Sequence, residues 1–357
     1  MLGTIKQKLG PNGQRVAILA LVLLAMLLFF STQIQNYLNA RLFVRVSTSV
    51  SIIALIAVGQ AVVVLTRNID LSIGSVVGCS AYFLGGILAV YPDLHPIVVV
   101  GLAMGIGACF GAVNGLLVSR LGLPSIIVTL ATLALFRSIL VESSDGTSIT
   151  TANLPMWLTE FARMNAFSVG DFKVRWMVVV ALAVTVAMHL FLTRMRVGRQ
   201  FYAVGSNPDA AKFAGIDMKR TVLMAFLISG ALAGLAGFMF LARFGNITVV
   251  AGLGLELKSV GAVVVGGVNI FGGSGSVIGV LLGTTMIDLL DSSLVRWELV
   301  SEFWREAVLG MLILLAVAMD TVLSRRLLAP QSDKKTEKNA EQPAKKSAET
   351  AVMEGGK

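Results

Sequence analysis

Four carboxylates, Asp70, Glu256, Asp288 and Asp291, stand inside or beside long apolar stretches of this 357-residue chain. An ionisable group next to a membrane segment is costly unless it pairs or faces water, so each is a candidate for a polar path through a bilayer. The spacing for hydrolytic chemistry is missing. His95 sits in the Tyr91–Pro96 turn and His189 near the end of an apolar run, and neither has a carboxylate or nucleophile at helical spacing, so no catalytic residue is expected. Cys79 and Cys109 lie in apolar runs with no Cys-x-x-Cys and no histidine at ligand spacing. They read as two small buried hydrophobes, and no metal site is expected. The chain has no G-x-x-x-x-G-K-[ST], and Gly273-Ser274-Gly275-Ser276 departs from G-x-G-x-x-G because residue 278 is isoleucine. It should not hydrolyse ATP on its own.

The polar candidates for a solute path are spread along the sequence. Asn68-Ile69-Asp70-Leu71-Ser72 joins two apolar runs. Asp70 is the first candidate there, and the competing reading is a cap, because Asp or Ser ahead of Gly74-Ser75 caps a helix in any protein. Asn68 likewise serves a path or merely ends the preceding helix. Asn114, Thr129 and Thr132 lie where amides and hydroxyls bond across helices, and such groups also suit a neutral polyhydroxylated solute. Asn246, Glu256 and Lys258, with Gly252 and Gly254, make residues 243–258 either a re-entrant gating segment or a surface loop. Asp288 and Asp291 border an outer mouth or anchor a helix at the interface. Gly101, Gly105, Gly107, Gly111, Gly234 and Gly237 are assigned to close helix packing.

The elements that hold these residues are helices in lipid. At 56% hydrophobic and 14% charged residues, the chain carries more apolar surface than one soluble core hides, and the excess falls in blocks of about 20 residues. Apolar stretches near 16–34, 47–66, 72–90, 96–118, 124–141, 176–193, 221–242, 259–271, 276–291 and 304–323 predict an all-α integral membrane fold of about ten spans. The run 259–271 is short and rich in glycine. About two thirds of the 29 Lys and Arg residues fall on one side of this map, which places both termini and the loop 194–220 in the cytoplasm, with Arg41 and Arg45 running against the rule. The expected organisation is an N-terminal tail over 1–15, a membrane domain over 16–323 and a disordered tail over 324–357. The basic residues form no single solvated face, so nucleic acid is not an expected partner.

Two patterns stand out. Shifted by 201 places, residues 61–78 (AVVVLTRNIDLSIGSVVG) fall on 262–279 (AVVVGGVNIFGGSGSVIG) with ten identities in eighteen. This internal repeat marks Asn68–Ser75 and Asn269–Ser276, including Asn269 and Ser274, as paired breaks beside a pathway. An even number of predicted spans between them makes the repeat parallel. Within the 27-residue hydrophilic stretch 194–220, Asn207 supplies an N-cap, Pro208 suits the first helical position, Asp209 the first turn, and Gly215 closes a helix of about two turns. Ala210, Ala211, Phe213 and Ala214 give that helix a small apolar face with nothing of its own to bury against. It fits a groove on a separate motor protein. The other reading is a helix at the lipid headgroups, anchored by Arg194, Arg196 and Arg199.

The chain resembles the permease subunits of ribose-type carbohydrate ABC importers of bacteria over about residues 45–322. The carriers are LTRNIDLSIGS (65–75), GAVNGLLV (111–118) followed by Pro124, VGRQFYAVGSNPDAAKFAGI (197–216) and GLELKSVGAVVVGGVNIFGGSGSVIGVLLG (254–283). Many relatives have two glycines where this chain has Arg67 and Asn68, a departure closer to the rhamnose and autoinducer-2 branches. The resemblance implies a type II importer-like fold in the bacterial inner membrane. It also implies a second permease copy, identical or not, a cytoplasmic ATPase that binds the ATP and magnesium, and a periplasmic sugar-binding protein. It puts a coupling segment on Gly205, Asn207, Pro208, Ala210, Ala211 and Gly215, and a junction motif on Asp70 and Ser72. Arg137, Arg163 and Arg243 are then candidate outer docking charges. An ion-coupled transporter is the alternative, and the sequence offers it few relay candidates: Asp70, Glu142, Asp288 and Asp320, near span ends.

Overall fold

A computed structural model describes residues 11–297, 301 and 304–328. Lys6, Lys8 and the tail beyond Leu328 lie outside the described residues. The elements run α1 (Pro11–Gln33), α2 (Ala40–Leu65), α3 (Ile73–Val90), α4 (Pro96–Ser119), α5 (Ser125–Ser144), a 3-10 turn, α6 (Met156–Arg163), β1 (Asn165–Val169), β2 (Phe172–Arg175), α7 (Trp176–Arg194), α8 (Arg196–Ser206), α9 (Pro208–Phe213), α10 (Met218–Phe244), α11 (Leu255–Val265), α12 (Val277–Leu294) and α13 (Arg305–Leu328). Two compact units divide the chain at Gly310; the first holds everything through Leu309, and the second opens with the rest of α13.

Among the described residues, α1, α2, α3, α4, α5, α7, α10 and α12 are long and apolar enough to cross a membrane. The run expected at 259–271 is no full span. Its helix, α11, has 11 residues and so rises only about 16 Å against a hydrocarbon core of about 30 Å. Hydropathy measured the apolar content correctly and missed the break in the backbone. The last expected run, 304–323, falls on α13.

The centre of the body is α2, which is buried without a gap from Val50 through Leu65. A helix that is apolar all round must be surrounded, and α10, α7, α11 and α12 all pack on it. The closest helix pair is α4 with α10. Gly107 has no room for a Cβ against Gly230 and Gly234, and Gly111 none against Phe226 and Gly230, so the two backbones touch through a glycine seam. Gly234 and Gly237 join that packing, against Ala103 and against Val77 and Ser80. Gly101 and Gly105 do not: both face outward with open space around them, on the side of α4 away from the seam. Cys79 is buried as expected, whereas Cys109 is exposed on the same outward side of α4.

A two-stranded antiparallel hairpin interrupts the helical pattern, with Val169 opposite Phe172 and Gly170 at φ +58° in the turn. The Gly170-Asp171 pair between β-favouring residues is the local cause.

Candidate functional site

The two breaks marked by the repeat meet. Gly273 N donates to Leu65 O at 3.0 Å, so the second turn, 266–276, hydrogen-bonds the last residue of α2, where the first turn, 66–72, begins. Both also grip α8. Arg67 Nε donates to Gly205 O at 2.6 Å and Arg67 Nη2 to Ser206 O at 2.9 Å, while Tyr202 Oη donates to Gly275 O at 3.3 Å. Gly205 itself has no space for a Cβ against Leu65 O and Gly273 N.

Arg67 is the residue that sequence reasoning passed over. Its φ is +66°, a left-handed conformation in which glycine is at ease and arginine is strained. The side chain returns something for that strain by tying the end of α8 to the end of α2. The available signal was the departure from a glycine pair at 67–68.

The first turn is sewn by side chains. Asp70 is 2% exposed, and its Oδ1 accepts from Ser72 N at 3.0 Å and Ser72 Oγ at 2.7 Å. These bonds fold the turn locally onto Ser72, which stands at the N-cap of α3 and makes no side-chain cap bond of its own. Burial pushes its carboxyl up to about 6, and the two Ser72 bonds pull the other way without winning. Asn114 Nδ2 donates to Ser72 Oγ at 2.7 Å, bringing α4 onto the turn, and its Oδ1 stays unpartnered and buried. From α5, Ser125 Oγ accepts from Ile69 N at 3.2 Å and Thr129 Oγ1 donates to Ile69 O at 3.2 Å. With its amide turned to satisfy both partners, Gln60 donates to Asp70 O at 3.1 Å and accepts from Asp70 N at 3.2 Å. Asn68 stays local, donating to Thr66 O at 2.9 Å, which ends α2.

The second turn is sewn by backbone. Asn269 N donates to Ser274 O at 2.9 Å, and Asn269 Oδ1 accepts from Phe271 N at 2.9 Å. Ser274 contributes its carbonyl there.

Of the remaining path candidates, Glu256 is close to the first break and Asn246 is not. Residues 249–254 descend as non-helical chain beside α3, so that Gly74 and Gly78 have no room for a Cβ against Gly252 O and Ala251 O. Glu256 lies against Gly74 and its Oε1 accepts from Gly254 N at 3.1 Å. Asn246 is exposed near the Ile149–Ile247 bridge, well removed from the two turns. Bare carbonyls at membrane depth must be satisfied, and Arg137 does it: its Nη1 donates to Val249 O at 2.7 Å and to Ala251 O at 2.6 Å. Arg137 is therefore turned inward and is not an outer docking charge. Lys258 is held by Asp291 at 2.6 Å, which also takes Arg305 at 2.6 Å, and Asp288 accepts from Ser49 at 2.6 Å. Glu142 and Arg163 are exposed, and the Asp320 side chain lies outside the described residues.

The stretch 194–220 folds as two helices. In α8 an amphipathic pattern buries Phe201 and Val204, which seats it on the body. In α9 the Asn207 Oδ1 accepts from Ala210 N at 3.0 Å with Pro208 in the first turn, and Gly215, at φ +78°, closes it. The apolar face is divided. Ala211 is buried against this chain, whereas Ala210 and Ala214 are exposed and Phe213 is 92% exposed.

The whole is a polytopic helical body, carrying one helix seated on it and one short capped helix with an exposed Phe213. The chain belongs to the family described as branched-chain amino acid transport system / permease component, whose pattern matches residues 42–317. It is similar to the autoinducer 2 import system permease protein LsrC of Yersinia enterocolitica, 35% identical over 314 residues, covering 88% of this chain and 84% of that protein. The proteins of the same description from Escherichia coli strain HS and Salmonella typhi are 35% and 34% identical over 309 residues, covering 87% of this chain and 87% and 86% of theirs. No solved structure matches.

Proposed function

We propose that the chain is the membrane subunit of an ATP-driven importer for a monosaccharide or related polyol-like solute of the rhamnose, ribose or autoinducer-2 class. The observation that carries this reading is α9: its N-cap and C-cap are complete within the chain, yet Phe213 projects bare beside a helix that both repeat turns hold. In this reading α8 and α9 lie in the cytoplasm of a bacterial cell, both termini lie on that side, and a separate ATPase receives Phe213 in a groove. ATP binding closes the ATPase, α9 moves with it, and α8 passes the movement through Gly205 and Arg67 to the ends of α2, α3 and α12. A paired permease copy completes the path, and a periplasmic binding protein delivers the solute. The similarity to LsrC proteins supports the solute class.

The test is uptake of labelled sugars by vesicles that hold the chain, its ATPase and its binding protein. Uptake should require internal ATP and proceed with no ion gradient. Uptake driven by a proton or sodium gradient without ATP would favour the ion-coupled reading instead.

A further inference from the structure

On the face opposite α8 and α9, five cationic side chains converge. Arg41 and Arg45 from the first turns of α2, Lys173 and Arg175 from β2, and Arg243 from the end of α10 line a pocket of about 470 Å³, with Asp171 its one carboxylate. None of the five forms a salt bridge among the described residues. Arg175 Nη1 is held by Ala162 O at 3.1 Å, and the Arg243 guanidinium lies 5.2 Å from the Phe244 ring centre. Those contacts place the two charges without neutralising them, and Arg243 also has a carboxylate, Asp288, within electrostatic reach. Clustered like charges repel, so such a pocket is costly until an anion enters it.

The pocket shares a wall with an apolar groove of about 560 Å³ between α1, α2, α7 and α12. The wall is the edge-to-face contact of Phe43 with Phe172, 5.6 Å between ring centres. On one side of it stand Arg41, Arg45 and Lys173; on the other, Leu42, Val46 and Leu182 line the groove between the helices. A small anion would fill the pocket and leave the groove bare, and a neutral lipid would fill the groove and leave the charges unpaired. A molecule with both features answers both.

We propose that this pocket and groove form a site for an anionic phospholipid, with its phosphate among Arg41, Arg45 and Lys173 and an acyl chain along the groove. Arginine suits the headgroup because its planar fork meets two phosphate oxygens at once. The inference goes beyond the importer reading and does not depend on which solute is carried.

The test uses the purified full chain in its complex, stripped of lipid and titrated with phosphatidylglycerol or phosphatidylcholine while bound lipid is counted by native mass spectrometry. R41Q/R45Q alters two exposed side chains, and L182W fills the groove without touching the charges. The double variant should lose phosphatidylglycerol affinity about thirtyfold, with phosphatidylcholine unaffected. L182W should also weaken phosphatidylglycerol, and inorganic phosphate should fail to displace it. Thermal melting of both variants checks that the fold is kept. Three outcomes overturn the proposal: wild-type phosphatidylglycerol affinity in R41Q/R45Q; displacement by inorganic phosphate with L182W unaffected, which makes it a small-anion site; or disulfide cross-linking of two copies through L182C, which makes the groove an interface between copies.

Discussion

The two turns that meet at α8 descend from the same sequence pattern and are held in opposite ways. In the first, Asp70, Ser72, Asn114, Thr129 and Arg67 supply side-chain bonds that reach α4, α5 and α8. In the second, Gly267, Gly272, Gly273 and Gly275 all have φ between +75° and +159°, and its own bonds are main-chain or local, with Arg15 and Tyr202 donating to it from outside, at Gly267 O and Gly275 O. One copy fills its space with polar contacts, and the other vacates space so that the end of α8 can approach. The lesson is that the repeat conserves a path of the backbone while dividing two jobs, holding and admitting, between its halves.

That division can be broken from either side. The largest effect is expected in the second turn, from Gly273→Val. A Cβ there meets the Ser206 and Gly205 backbone at a left-handed φ, so assembly with the ATPase and uptake should both be abolished. A fully active Gly273→Val would mean that the turn does not need its emptiness.

Next is α9, the short helix that follows the one both turns hold. Phe213→Asp should leave the membrane fold intact and cut ATPase co-purification at least about tenfold, since a bare aromatic in a partner groove is the usual energetic anchor. Undiminished co-purification would place the contact elsewhere.

Arg67→Ala removes the two side-chain bonds from the first turn to α8. Hydrolysis of ATP should persist while uptake falls about tenfold, in line with two charge-assisted hydrogen bonds, and Arg67→Lys should recover part of it. If hydrolysis and uptake decline together, Arg67 supports folding and does not transmit.

The mildest effect is on pH dependence. The folded chain keeps a proton on Asp70 up to about 6, whereas the unfolded chain releases it near 3.8. The native state therefore binds more protons between those values, so its stability falls as pH rises from about 4 to about 6 and is level above. Asp70→Asn keeps an oxygen for Ser72 and removes the charge, so melting temperatures measured across that window should lose this component of their slope. An unchanged slope would show that another group titrates there.

Much of this was legible in the residues. Runs of apolar side chains located the spanning helices because lipid imposes length and composition directly, and Asn207-Pro208 with Gly215 located α9 because capping is local chemistry. The repeat predicted that residues near 68 and 269 face each other, and Leu65 and Gly273 do. What stayed hidden depends on distant partners. A hydropathy average over 259–271 has no way to register that residues 249–254 run as open chain, since only Gly74 and Gly78 on α3 make room for them. A charge count by side treats Arg137 like any surface arginine, and its inward turn depends on carbonyls more than a hundred residues away. Phe201 and Val204 mark α8 as amphipathic, but the grip on its end comes from Arg67 in a backbone conformation that no sequence window displays. For Asp70 the residues allowed a path or a cap, and the carboxylate instead bonds Ser72, the residue at the N-cap of α3, within the turn.

The open chain at 249–251 has a bearing on how the protein is made. Carbonyls without an internal partner do not pass from a translocation channel into hydrocarbon on their own, and a rise of 11 helical residues is too little to carry them. Their donor, Arg137, belongs to a helix synthesised earlier. The later segment therefore depends for its satisfied backbone on a guanidinium supplied by a helix more than a hundred residues earlier in the chain.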